Sequence, residues 1–325
     1  NCKYLSGFTG SNGYMLVTAS DFVLFTDFRY IEQAKSECPH VSVIRIRDGY
    51  RSLSETVAKF SLHSIAFEPN QITYGEHKSI EESLSADVSF TPETNMVEEL
   101  RHRKDELEIE TLADAVRMAD SAMAEAARCL VEGIREYEVA DVIERALKMA
   151  GADGTAFDTI VASGPNAALP HHKAGGRVIS EGDSVVIDMG ALYQGYRSDL
   201  TRTYFVGDSD RSKYDELYSI VLEAQTAAEE SARAGMLGSE LDGIARDIIG
   251  GYGYDSLFGH GLGHGVGIDV HELPMVVPSS GDRILPGSVF TIEPGIYVPG
   301  WGGVRIEDIL VMGDISAQVL TLSPK

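Results

Sequence analysis

Cysteine is nearly absent from this chain of 325 residues: Cys2, Cys38 and Cys129 are its only three. They are scattered and odd in number, with no C-x-x-C. That excludes a disulfide framework and a cysteine-built metal site, and it favours a reducing compartment, the cytoplasm. Basic residues are also few. Lys and Arg number 27 against 50 Asp and Glu, for a formal net charge of −23. Nucleic acid and anionic membranes repel a polyanion, so neither is expected as a partner. No apolar run approaches the roughly 18 residues that would span a bilayer. G-x-G-x-x-G, Walker A and G-x-S-x-G are all missing. His271-Glu272 opens an H-E-x-x-H, but Met275 stands where the second His is required, which excludes a zincin helix. The chain begins at Asn1 and not at Met, which points to a segment before it.

What is present is ordinary globular composition, 43% hydrophobic and 24% charged, at a length that suggests two domains. Residues 1–95 predict a small α/β unit. Apolar stretches at Tyr14–Val17, Phe22–Phe25, Val41–Ile46 and Ile65–Phe67 read as strands, and Tyr30–Glu37 and Glu76–Leu84 as helices. Turn chemistry at Thr91–Asn95 and a charged run after it place a domain boundary near residue 96.

Residues 96–325 predict an α+β domain. Leu112, Val116, Ala119, Met123, Ala126 and Leu130 recur at helical spacing, with Gly133 ending the pattern. A second helix runs through Val139, Val142, Ile143 and Leu147 to Gly151. A third is expected over Ser212–Ala234, and a fourth after an N-cap at Ser239. Between and after them lie two hairpins, Ser184–Leu192 with Tyr196–Val206 and Ser288–Val298 with Gly303–Met312.

Each hairpin carries two acids in apolar surroundings. A turn centred between Tyr193 and Gln194 would set Asp188 directly opposite Asp199, and a loop centred on Gly300 would set Glu293 opposite Glu307. A single strand acid reads most simply as a solvated outer-face residue. Two opposed pairs do not, because like charges facing across a ladder repel unless a cation sits between them. Two divalent ions would balance the four charges. An oxygen-rich donor set suits Mn²⁺, with Zn²⁺ and Co²⁺ as alternatives.

Histidines cluster on two Gly-bearing loops. The stretch 258–274 holds His260, His264 and His271, four and seven residues apart, and 162–175 adds His171. His264 is the candidate nitrogen ligand, with His260 and His271 beside it. His172, His40, His63, His77 and His102 read as surface histidines.

With these residues in place, the chain resembles the pita-bread metallopeptidases, over about residues 96–325. Their ordered ligand set Asp, Asp, His, Glu, Glu maps onto Asp188, Asp199, His264, Glu293 and Glu307. The resemblance implies that Asp188 holds one ion, Asp199 and Glu307 bridge both, and His264 and Glu293 hold the other. It makes His171, His260 and His271 auxiliary histidines, Arg305 the arginine of the Xaa-Pro branch, and Tyr297 a weaker site-wall candidate. Tyr4–Ser11 and Phe25–Tyr30 resemble the amino-terminal domain of bacterial Xaa-Pro peptidases, here read as truncated at its start. The implied activity is that of a dinuclear-metal Xaa-Pro exopeptidase, aminopeptidase P or prolidase, acting on proline-containing peptides as a homodimer. His271 or His171 would donate to the developing oxyanion, and Glu293 or Glu307 would take the water proton. The competing readings are a metal-free hydrolase of the creatinase type and a non-catalytic binding module of the same fold.

Overall fold

The computed structural model describes residues 1–325, which divide into two compact units, Asn1–Glu99 and Leu100–Lys325. In chain order the first unit contains α1 (Cys2–Ser6), β1 (Gly13–Val17), β2 (Phe22–Thr26), α2 (Ile31–Glu37), β3 (Ser42–Arg45), α3 (Arg51–Lys59), β4 (Ser64–Phe67), α4 (Tyr74–Ser83) and β5 (Ser89–Pro92). β1 and β2 pair antiparallel and β3 joins β2 in parallel, while β4 and β5 form a parallel pair. Val23, Phe25, Leu53, Val57, Ile65 and Ile80 make the core. Residues 91–92, read from sequence as a turn, belong to β5. The helix α3 was not anticipated.

Helix α5 (Glu98–His102) precedes α6 (Glu106–Cys129), α7 (Glu136–Ala150), β6 (Gly154–Thr155), β7 (Ile160–Ser163), β8 (Ser184–Met189), β9 (Ala191–Tyr193), β10 (Tyr196–Arg197) and β11 (Leu200–Phe205). Then follow α8 (Ser212–Ser231), α9 (Gly238–Gly251), β12 (Gly263–Gly265), β13 (Glu272–Val276), β14 (Val289–Ile292), β15 (Gly295–Val298), β16 (Gly302–Arg305), β17 (Asp308–Met312) and β18 (Ala317–Val319). The second unit has two halves of similar plan. In one, α6 and α7 pack through Ala119, Met123, Ile143 and Leu147 on the sheet β11-β8-β7. In the other, α8 and α9 pack through Leu217, Val221, Leu241 and Ala245 on strands that include β14, β15 and β16.

The helix ends have local causes. Asp105 and Glu108 form a reciprocal cap that starts α6. Gly151, at φ 100°, ends α7 in the left-handed conformation that suits glycine. Three expected ends move. α6 stops at Cys129, before Gly133, and α8 stops at Ser231, before Ala234. α9 is capped at Leu237, so Ser239 lies inside its first turn.

The first hairpin corrects the expected register. Gln194 and Gly195 both take positive φ, 48° and 87°, so the turn is centred one residue later than expected. Tyr193 then pairs with Tyr196, and Asp188 faces Thr201, not Asp199. Asp199 is displaced two residues from that partner, on the same face of the strand. The ladder is interrupted beside it at Gly190, where a Cβ would come within 1.9 Å of the Ser198 carbonyl.

The second hairpin keeps the expected register: Gly295 pairs with Arg305 and Ile292 with Asp308. Its ladder also breaks at the acids. Pro294 has no N–H to offer. Glu293 N–H instead bonds Leu262 O at 2.7 Å, and Glu307 N–H bonds Thr201 O at 3.1 Å. The second of these bonds joins the two hairpins. Arg305 N–H reinforces the join by donating to Thr203 Oγ1 at 3.0 Å, as Thr203 Oγ1 donates to Arg305 O at 2.8 Å.

Candidate metal centre

His264 was expected on a loop, but it lies on the short strand β12, between β13 and β14. Its neighbours make this possible. A Cβ at Gly263 would come within 2.1 Å of Thr291 O, and one at Gly265 within 2.1 Å of Leu273 O. Glycine therefore lets three strands close on the imidazole. His264 Nδ1 lies 3.1 Å from Gly265 O and donates to it. That leaves Nε2 toward the acids, 3.3 Å from Glu293 Oε1 and 3.7 Å from Asp199 Oδ2.

One ligand atom from each of Asp199, His264 and Glu307 falls within 4.8 Å of the other two. All three side chains are buried, with Glu307 only 2% exposed. Asp188 is tied in through Arg305, whose Nη2 donates to Asp188 Oδ2 at 2.6 Å. Asp188 Oδ1 is buried without any partner.

The carboxyls respond as a crowded buried group must. Burial pushes Asp199 well above the ordinary carboxylate range, and the charges of Glu307, Asp188 and Glu293 add to it. Glu307 is raised for the same reasons, burial first and then Glu293 and Asp188. Asp188 is also raised, because burial outweighs the Arg305 cation. Glu293 moves the other way. Burial opposes its charge, but the hydrogen bond and charge of His264 pull it down to about 2.

Around the acids runs a connected set of polar groups. Arg305 Nη1 donates to Tyr297 Oη at 2.8 Å, and Arg305 Nε to Thr201 Oγ1 at 3.1 Å. Thr201 Oγ1 donates to Glu307 Oε2 at 2.7 Å. Burial lowers the His260 pKa, so its ring is neutral. Nδ1 donates to Gly261 O at 2.7 Å, and Nε2 therefore accepts from the Tyr297 hydroxyl at 2.9 Å. Tyr297, a weak candidate from sequence, links Arg305 to His260. His271 packs its ring 4.2 Å from that of His264. Its pKa is lowered by burial and by the neighbouring His264 charge.

A cavity of about 630 Å³ opens onto the acids, with Thr201 and Tyr297 behind its wall. His171, His260, His264, His271, Arg305 and the four acids all face it. Its remaining wall includes Phe157, Ile160, Pro170, Val270, Met275 and Val277. The sequence reading missed Thr201, a residue of high strand propensity that gave no signal. It missed Arg202, which is 1% exposed and donates to Glu307 O and Asp308 Oδ1, each at 2.7 Å. It also misjudged two histidines. His102 is buried, and His172 bonds the buried Glu136 carboxylate at 2.9 Å.

The likenesses to known proteins agree with this geometry. Residues 110–314 match the model of metallopeptidase family M24, and residues 1–102 that of the creatinase/prolidase N-terminal domain. A Xaa-Pro dipeptidase of Pyrococcus horikoshii is 41% identical over 324 residues, covering 99% of this chain and 90% of the relative. Among solved structures, a Xaa-Pro dipeptidase from Bacillus anthracis superposes with a TM-score of 0.96 at 38% identity, covering 100% of this chain and 91% of that one. An X-Pro aminopeptidase from Thermotoga maritima gives 0.92 at 38% identity, covering 99% and 90%. The α+β pita-bread architecture, with a smaller domain before it, is therefore the fold of this chain. On a match of this extent, the chain belongs to metallopeptidase family M24.

Proposed function

We propose that this protein is a dinuclear-metal Xaa-Pro exopeptidase that cleaves the bond between an N-terminal residue and proline, and that Asp188, Asp199, His264, Glu293 and Glu307 hold two divalent ions. The observation that supports this reading is the buried cluster of Asp199, His264 and Glu307, with Asp188 and Glu293 lining the same cavity. Four carboxyls line one cavity and only Asp188 is paired with a fixed cation, so bound ions would balance the others. The orphaned Asp188 Oδ1 is a further sign that the donor set fits such ions. When bound, the ions would lower the pKa of a water and polarise the scissile carbonyl.

The chain's own groups supply the rest. Glu293, held ionised, accepts a proton from the attacking water and passes it to the proline nitrogen. His271, neutral and facing the cavity, donates a hydrogen bond to the oxygen that gains charge, and His171 lines the same cavity and can share that role. Arg305 holds Asp188 and Tyr297 in place, and Tyr297 in turn fixes the His260 ring. Proline offers no amide hydrogen, so its ring must be recognised by shape. Phe157, Ile160, Val270, Met275 and Val277 give the cavity an apolar wall suited to that.

The oxygen-rich donor set favours Mn²⁺, with Co²⁺ or Zn²⁺ as substitutes. Three unpaired cysteines fit a cytoplasmic protein. No helix is long and apolar enough to cross a membrane. A homodimer is proposed from the family resemblance. The domains are taken as 1–95 and 96–325. Hydrolysis of Ala-Pro and Ala-Pro-Ala tests the activity and separates dipeptidase from aminopeptidase action. Asp199→Ala and His264→Ala should each lose bound metal and turnover, and wild-type turnover in either would refute the ligand assignment.

A further inference from the structure

The Glu136 carboxylate accepts five hydrogen bonds, and none of them comes from the five proposed ligands. It stands in the first turn of α7 with no exposed surface. Its Oε1 accepts from Ser163 N–H at 2.9 Å, Ser163 Oγ at 2.8 Å and Asn166 Nδ2 at 2.9 Å. Its Oε2 accepts from His172 Nε2 at 2.9 Å and Gly175 N–H at 3.2 Å. Five donors exceed the roughly four lone-pair sites of an ionised carboxylate, so Oε1 is shared among three of them. A helix start favours a negative charge, but one surface acid would serve that purpose. A fully buried carboxylate is costly unless hydrogen bonds compensate it, and here those bonds tie it to a single segment.

All five donors come from one segment, residues 163–175. Asn166 and His172 bracket an arc, Ala167 to His171, and both point their side chains at the same carboxylate. Within the arc Leu169 N–H bonds Asn166 O and His172 N–H bonds Leu169 O, so it is tightly turned. Pro170, His171, His172 and Lys173 line the cavity. The other side of the arc rests on β16. A Cβ at Gly303 would come within 2.2 Å of Ala167 O, and one at Gly302 within 3.0 Å of Gly164 O. β16 ends at Arg305. The arc is therefore fixed between a buried anion and the strand that carries the site arginine.

We propose that Glu136 is a positioning residue for the reaction: its buried carboxylate staples the arc 166–172 and so sets His171 at the cavity wall. The staple lies outside the proposed ligand set, and its role in turnover rests on the exopeptidase reading. Glu136→Gln keeps the shape but turns one acceptor oxygen into a donor that faces donors already in place. The expected result is a loss of kcat/KM on Ala-Pro on the order of 10²-fold, with metal content unchanged.

Two further readouts separate positioning from plain structural support. In Glu136→Gln, hydrogen exchange at the Ser163 and Gly175 amides should quicken by about tenfold or more, while that of β8 and β14 stays at the wild-type rate. In a double-mutant cycle, Glu136→Gln should add little to the loss already caused by His171→Asn. Additive losses, kcat/KM within twofold of wild type, or unchanged exchange at both amides would each overturn the proposal. Should Glu136→Gln fail to fold, Asn166→Ala removes a single donor and should shift the same readouts in the same direction. Its failure to do so would overturn the proposal as well. If the wild-type protein cleaves neither peptide, the exopeptidase reading falls on that result alone, and the exchange measurement still decides whether Glu136 holds the arc.

Discussion

Arg305 donates to Asp188 Oδ2 across 2.6 Å and leaves Asp188 Oδ1 buried and unpartnered. One contact thus holds a cavity-lining carboxylate with one oxygen unpaired. The same guanidinium reaches Thr201 and Tyr297, so it fixes three groups at once. A lysine has no planar fork with which to keep three such bonds. Arg305→Lys should lower kcat/KM by about 10- to 100-fold and weaken retention of metal by a similar factor, as loss of an orienting partner does at metal sites. Steady-state kinetics with metal analysis after dialysis checks both.

Thr201 tests the support of Glu307. Its hydroxyl is the donor to Glu307 Oε2 at 2.7 Å. Thr201→Val removes that donor at nearly constant shape, whereas Thr201→Ser retains it. Metal affinity should fall by about 10- to 100-fold in the first and stay close to wild type in the second. Competition with a chelating dye reads the difference.

Tyr297→Phe should destabilise the fold by about 1–3 kcal/mol, because His260 Nε2 and Arg305 Nη1 lose a buried partner. Burial pushes the phenol up to about 12, so it keeps its proton throughout the working range. The alkaline limb of the pH–rate profile should therefore be the same in wild type and Tyr297→Phe. A limb that moves would show that the phenol itself titrates in turnover.

The apoprotein should have an inverted pH dependence. Asp199 and Glu307 are raised above their ordinary values of 3.8 and 4.5. Between those values and the raised ones, the folded chain holds more protons than the unfolded chain. Stability then falls as pH rises through that window. His264, raised above its ordinary 6.5, acts in the same direction, since its contribution is present below that value and lost above the raised one. Burial alone would lower it, but the bond to Glu293 outweighs burial. Chelator-treated protein should melt at a lower temperature at pH 8 than at pH 5. Ion binding displaces those protons and should reverse the trend. Melting curves with and without Mn²⁺ test the sign.

The acids were legible in the sequence because an Asp or Glu set in an apolar stretch contradicts its surroundings, although only Asp188 lies within a strand and the other three stand where the ladders break. The second hairpin was legible too, since Gly300, at φ 77°, marks its turn. The first was misplaced because Gln194 takes a left-handed conformation, which its residue type does not announce. β12 was hidden by the glycines that make it possible, as Gly263 and Gly265 read as loop. Glu136 was invisible for another reason. An acid in a first helical turn looks solvated, and only the folded arc 163–175 encloses it.

Equilibrium dialysis of the metal-free protein against Mn²⁺, with the bound ion counted per chain, measures the dinuclear centre directly. Two ions in wild type, and fewer in Asp199→Ala alongside loss of Ala-Pro hydrolysis, is the expected outcome. Hydrolysis that persists with no ion bound would overturn it.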